Sequence, residues 1–408
     1  MDVGTVGKRL VVGRKLRSTQ LGEQLLPKRV ALPVFASDPL SSVAYSPDEI
    51  FLTLAFAGLA AYSFSWKIGL IIAFVMLVVV ASYRQNVQAY QSGGGDYEVA
   101  TTNLGRGFGL TVASALLVDY VLTVAVSISS AAQYAATAIA PLRDHQVTVA
   151  VVAVLFLMAM NLRGIRESGK AFAVPTYLFM VALLGMAGWG FFRHFFAGGL
   201  PSAPSADLEI APLEEFTGAL GGLAFAFLLL RAFASGCATL TGVEAIANGV
   251  PAFRTPKGRN AATTLLLLGA VATTLLISIV ALANITDVRV AEDPASQLLG
   301  TDGQPVGEDY HQDPVVGQLA RTIFDDFAPG FYLVAAATGI ILLLAANTAF
   351  NGFPVLGSIL GRDGYLPRQL HTRGDRLAYS NGIVALAGFA IVLIWAFDAQ
   401  VTRLIQLY

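Results

Sequence analysis

The sequence predicts an all-α, polytopic membrane protein. Three observations predict it: an apolar composition, apolar runs of membrane-spanning length, and an uneven split of basic residues between loops. Of 408 residues, 55% are hydrophobic and 13% charged, and the mean hydropathy is +0.65, which excludes an ordinary soluble domain. The apolar residues gather in runs at 68–82, 147–160, 172–192, 263–282 and 333–346, each extended by its flanks, long enough to cross a hydrocarbon layer of ~30 Å. Barrel strands would alternate apolar and polar residues instead.

Taken in order, residues 1–29 are basic and carry no apolar core ahead of a small-residue cleavage site, so they are expected to be a cytoplasmic segment rather than a cleaved signal. Complete spans are expected near residues 30–58, 66–86, 108–139, 147–160, 172–194, 217–250, 260–284, 330–358 and 381–397, with a tenth beginning at the C-terminus. With the N-terminus cytoplasmic, nineteen of the 26 lysines and arginines lie on that side and five on the other, Arg231 and Arg403 falling inside spans. That is the positive-inside pattern. The loops 195–216 and 285–329 on the opposite side collect Asp and Glu instead. The single cysteine, Cys237, lies in a span, so no disulfide framework is expected. Gly93–Gly95 has no strand before it and no GK[ST] after it, and reads as a loop rather than a phosphate cradle. His145, His194, His311 and His371 lack metal-ligand spacing and are expected to be solvated.

Two spans are interrupted. The first runs through Ala31-Leu32-Pro33 into Ser37-Asp38-Pro39-Leu40-Ser41-Ser42, and the sixth through Leu228–Leu230 and Arg231 into Ser235-Gly236-Cys237-Ala238-Thr239-Leu240-Thr241-Gly242. Irregular backbone at that depth is tolerated only inside protein or against a water-filled cavity, and paired interruptions mark the substrate site of inverted-repeat transporters. The third span adds a polar stripe: Asp119, Thr123 and Ser127 share one helical face, flanked by Tyr120. A carboxylate at the depth of Asp119 costs ~3 kcal/mol or more in lipid, so it is expected to face the protein interior. With Asp38 and Tyr45, these groups offer a cation oxygen ligands alone, which suits a hard monovalent ion.

Structural roles compete with this reading. Asp38-Pro39 has the form of an N-cap followed by a first-turn proline, and Thr241–Glu244 and Ser46–Glu49 have the form of capping boxes. Arg231, deep in its span, is expected to serve as a structural ion pair, with Asp119 as candidate partner. Pro47 is expected to kink the first helix near Val43.

The strings FASDPLSSVAYSPDEI, LLVDYVLTVAVSISSAAQ, RAFASGCATLTGVEAIANGVPAF and ANTAFNGFPVLGSILGRDGYLP, in this order across residues 20–408, closely resemble the KimA-type potassium importers, a KUP-like branch of the amino acid, polyamine and organocation transporter superfamily. The resemblance implies a LeuT-like fold of two inverted five-helix repeats with discontinuous first and sixth helices. Here they would be a transmembrane transport domain over 30–408, its first repeat at 30–196 and its second, C-terminally incomplete, at 217–408. It implies potassium ligands at Asp38, Tyr45, Asp119, Tyr120, Thr123, Ser127 and Thr241, and a proton carried by Glu244. The implied activity is import of potassium with protons by alternating access, with no cofactor beyond the transported K+ and H+, in a bacterial plasma (inner) membrane. Family members continue through further spans into a cytosolic domain, so the resemblance also implies a homodimer formed through a domain absent from this chain, with cyclic di-AMP as its regulator. No enzyme chemistry and no nucleic acid partner are expected. An amino acid or polyamine permease shares the fold, although Asp38 stands where a substrate carboxylate would need backbone donors. A receptor or scaffold would keep the polar stripe without translocation.

Overall fold

The computed structural model describes residues 25–91, 95–163, 169–216, 222–372 and 379–408. The basic N-terminal segment up to residue 24, most of Gly93–Gly95, and the loop arginines Arg166, Arg373 and Arg376 lie outside the described residues. Helices dominate in chain order: α1 (Lys28–Ser41), α2 (Ser46–Ala55), α3 (Ser65–Ala89), α4 (Gly95–Leu104), α5 (Arg106–Ala138), α6 (Gln146–Leu162), α7 (Gly169–Phe196), α8 (Gly222–Gly236), α9 (Glu244–Asn248), α10 (Lys257–Ile285), α11 (Pro294–Gln297), α12 (Val315–Ile323), α13 (Ala328–Arg362), α14 (Ser380–Ala396) and α15 (Val401–Leu407). Two short strands, β1 (Glu209–Ile210) and β2 (Leu298–Leu299), pair antiparallel and tie together the two long acidic loops.

Seven stretches have the length and hydropathy to cross a membrane unaided, running from Leu59–Ala89 to Ala328–Arg362. The first expected span is not among them because it is split into α1 and α2 around a 3-10 turn at Ser42–Ala44. The ninth, α14, joins α15 through a bend of 119°, so the start of the expected tenth span turns sharply away from its predecessor. Each expected span has a helical counterpart whose ends move by a few residues. Helices α4 and α12 were not expected at all. They lie in loops, where no long apolar run announces a helix.

Apolar side chains such as Phe74, Phe156, Val181 and Trp395 are exposed around the circumference, as lipid-facing residues should be, while the polar residues are gathered inside. Helix α13 lies along α5 and α10 along α3. Helix α1 is wrapped by α7, α10 and α13, which buries Ala36, Ser37, Leu40 and Ser41 completely. Prolines inside α1 free backbone carbonyls, and neighbouring side chains take them up. Pro33 cannot donate to the carbonyl of Arg29, and the Tyr177 hydroxyl donates to it instead at 2.9 Å. Pro47, in the first turn of α2, removes the bond that Val43 would accept, and the chain between α1 and α2 turns there. The carbonyl of Ala44 then accepts a bond of 2.9 Å from the Tyr134 hydroxyl of α5.

Candidate cation site

Three elements build the site. The first is the 3-10 turn Ser42–Ala44 with the residues on either side of it. The Ser42 hydroxyl lies 2.9 Å from the Tyr45 hydroxyl and 3.3 Å from Thr241 Oγ1. The second is the break between α8 and α9, where a 3-10 turn at Cys237–Leu240 leads to Gly242. Threonine hydroxyls cap that turn, Thr239 donating to Gly236 O at 3.0 Å and Thr241 to Ala238 O at 2.8 Å. Gly242 has φ +79°, and a Cβ there would stand 2.7 Å from both Asp38 Cγ and Pro39 Cδ. Only glycine permits the two breaks to touch this closely.

The third element is the stripe on α5. Thr123 Oγ1 lies 3.0 Å from the Tyr408 hydroxyl, which also hydrogen-bonds the Asp119 carboxylate. Ser127 lies one turn further, fully buried, its hydroxyl without a hydrogen-bond partner among the described residues. Tyr120 accepts a 3.3 Å bond from Asn248 of α9. The structure therefore brings Asp38, Tyr45, Asp119, Tyr120, Thr123 and Thr241 around one centre, with Ser127 continuing the same face. Glu244 opens α9, is 8% exposed and has an unpartnered Oε1. It interacts electrostatically with both Asp38 and Asp119. Sequence reasoning passed over Ser42, although it stood in the quoted string. Nothing in the pattern pointed to Tyr408.

The structural roles weighed from sequence fare differently. Asp38 lies within α1, not at a helix start, because the chain stays helical through Pro39 and breaks at Ser42. Helices α2 and α9 begin without a side-chain cap bond, so neither expected capping box forms. The Asp48 carboxylate instead accepts the backbone N–H of Val315. Arg231 makes no ion pair with Asp119 among the described residues. Its guanidinium lies over the Phe56 ring, 5.1 Å from the centroid, because its helix turns that face toward α2 and away from α5. His371 is exposed as expected, its Nδ1 2.9 Å from the Ser358 hydroxyl, whereas His311 is not simply solvated, since its Nε2 is buried 3.8 Å from Asp313 Oδ1.

Asp38, Asp119 and Glu244 thus share a region of low dielectric, and none of them has a basic partner within 4 Å among the described residues. Unpaired carboxylates at such depth attract a cation or a proton. Cavities flank the centre on both sides. One of about 220 Å³, lined by Phe35, Asp38, Tyr120, Asn248 and Asn351, opens toward the face carrying α4 and the end of α13. Asp96 of α4 lies on this side. Burial pushes its carboxyl up, and a 2.6 Å hydrogen bond from Tyr83 opposes that shift. The other cavity, about 700 Å³, is lined by Tyr45, Glu49, Gln133, Glu292 and Thr402 and opens toward the acidic loops.

A family model described as "Amino acid permease" matches residues 36–408. The chain is 41% identical over 402 residues to the potassium transporter KimA of Bacillus subtilis (strain 168), an alignment covering 98% of this chain and 61% of that relative. The chain therefore spans about three fifths of the relative's length. These matches and the apolar helices identify a multi-pass membrane protein from a family of permeases, not of enzymes. The chain belongs to the amino acid permease family.

Proposed function

We propose that this chain forms the transmembrane core of a secondary transporter that imports potassium with protons by alternating access. The observation that carries the proposal is the meeting of two helix breaks in a ring of hydroxyls and carboxylates. Among the described residues no basic side chain neutralises that ring, and a cavity lies on either side of it. A potassium ion losing its water would find oxygen ligands at Tyr45, Thr123, Ser127 and Thr241 and charge at Asp38 and Asp119. The 41% identity to a potassium transporter of Bacillus subtilis points the same way. Glu244, whose Oε1 has no hydrogen-bond partner among the described residues and which is electrostatically linked to both aspartates, is the group proposed to carry the proton. Its protonation would change the charge the cation meets and so couple the two fluxes.

The two-repeat organisation, a cytoplasmic N-terminus in a bacterial plasma membrane, and a homodimer regulated by cyclic di-AMP through a further cytosolic domain belong to the same proposal. The family's amino acid reading meets an obstacle at Asp38. Its carboxylate packs against Gly242, where a substrate carboxylate would require donors.

Uptake by cells lacking their own potassium transporters tests the reading. Asp38→Asn and Asp119→Asn should each abolish potassium accumulation, and Glu244→Gln should remove its dependence on the proton gradient. Normal rescue by Asp119→Asn sinks the cation assignment. Accumulation of a labelled amino acid without potassium favours the permease.

A further inference from the structure

The larger cavity holds a feature that the central site does not use. Glu49 of α2 lines it and is only 2% exposed, and its Oε1 has no hydrogen-bond partner among the described residues. Thr402 of α15 approaches the carboxylate as a hydrogen-bond donor. The other acids of the cavity are differently placed. Asp48 accepts the Val315 N–H, Glu292 accepts 2.8 Å from Gln406 Nε2, and Asp293 accepts from Ser296. Arg231 acts on Glu49 electrostatically, but its guanidinium lies over Phe56 and forms no ion pair with Glu49 among the described residues. A buried carboxylate oxygen with neither donor nor countercharge is costly unless a ligand completes it.

We infer that this cavity contains a second, outer binding site for a monovalent metal cation, held by Glu49 with the Thr402, Tyr45 and Gln133 oxygens. The ligand class follows from the donors. They are hard oxygens from a carboxylate, two hydroxyls and an amide, which suit potassium-like ions. The Phe56 ring on this wall, a face that would receive an organic ammonium, is covered by Arg231. Among the described residues no three His, Cys, Asp or Glu side chains converge closely enough to hold a metal, so a tight divalent site is not built here. Burial keeps the His311 imidazole on this cavity below its ordinary range, so near neutral pH it adds no positive charge to the wall that an entering cation would meet.

The site adjoins the centre. Tyr45 lines the outer cavity and bonds Ser42 of the inner ring. Helix α15 carries Thr402 at one end and Tyr408, against Thr123, at the other. An ion at Glu49 therefore waits one layer of side chains from the central ring.

Equilibrium binding of radioactive rubidium to the purified chain in nanodiscs tests the inference separately from the proposed function. Wild-type protein should show two classes of site. Glu49→Gln should weaken one class by ~10-fold or more, the loss expected when a charged ligand becomes a neutral isostere, and leave the class that Asp119→Asn removes. Thr402→Val should weaken the same outer class, and it carries the test if Glu49→Gln does not fold. Binding unchanged in both Glu49→Gln and Thr402→Val overturns the outer site while leaving the central one standing. Loss in those variants with no effect of Asp119→Asn keeps the outer site and overturns the central assignment. Displacement of the Glu49-dependent ion by methylammonium in preference to potassium overturns the ligand class.

Discussion

Replacing Gly242 by alanine would force apart two chain segments that the fold holds in contact. The backbone there has φ +79°, a left-handed conformation that costs an L-residue ~1–2 kcal/mol. The added Cβ would stand 2.7 Å from Asp38 Cγ and Pro39 Cδ and 2.8 Å from Asp38 Oδ2. Neither neighbour withdraws easily, since Asp38 and Pro39 belong to a helix buried on three sides, and overpacking of this kind costs a further ~1–3 kcal/mol. Relief by separation of the two breaks would spend ~2–5 kcal/mol on the cation site, which weakens binding between ~30-fold and several thousand-fold at ~1.4 kcal/mol per decade. Gly339→Ala is the control. It lies within α13, and its added Cβ meets nothing within 4 Å, so alanine should stabilise the helix by ~0.5–1 kcal/mol. Rubidium uptake against concentration, with melting of the purified variants in parallel, reads both effects. Wild-type half-saturation and melting for Gly242→Ala would refute the close approach of the breaks.

Tyr134→Phe should leave the Ala44 carbonyl of the first break without its 2.9 Å donor. A loss of ~1–3 kcal/mol is expected in chemical melting, with slower uptake but unchanged ion preference. Arg231→Met and Asp119→Asn should act independently, with a coupling below ~0.5 kcal/mol in a double-mutant melting cycle, since the two side chains share no contact. Coupling well above that would restore the ion pair expected from sequence. On the loop face, Arg193 pairs with Asp325 at 2.5 Å, and that hydrogen bond holds the Asp325 carboxyl below its usual range. The folded-state value lies below the unfolded one, so the pair's contribution is present above the ordinary carboxylate range and is lost as pH falls through the folded value. Because Asp325 is exposed and Arg193 only half-buried, Asp325→Asn should cost no more than ~1 kcal/mol near neutral pH and nothing in strong acid, measured by melting against pH.

The spans were legible because twenty consecutive apolar residues have few uses other than crossing a bilayer. That Asp38 and Asp119 turn toward one interior region was legible too, from carboxylates sitting where lipid forbids them, whereas Thr241 joined them only through the resemblance. What local patterns could not settle was where the breaks fall. Asp38-Pro39 looked like a helix start, yet the helix persists through it because surrounding helices bury it, and the chain breaks only where Pro47 takes a bond from Val43. Capping rules written for solvated helix ends misread Thr241 and Glu244: the Thr241 hydroxyl donates to Ala238 O and meets Ser42 of the first break, and Glu244 Oε1 has no hydrogen-bond partner among the described residues. Arg231 was placed by depth alone, which does not tell which neighbour a helix face meets. Ser42 and Tyr408 join the site through contacts across nearly 200 residues or more, and such contacts leave no local pattern.

The central claim is that a cation is held between the two breaks. Structure determination of the chain equilibrated with thallium(I) tests it most directly. An anomalous peak bounded by Ser42, Tyr45, Thr123, Thr241 and the carboxylates of Asp38 and Asp119 is the predicted result. Ordered thallium elsewhere in the protein, with only water or side chains filling that centre, would contradict it.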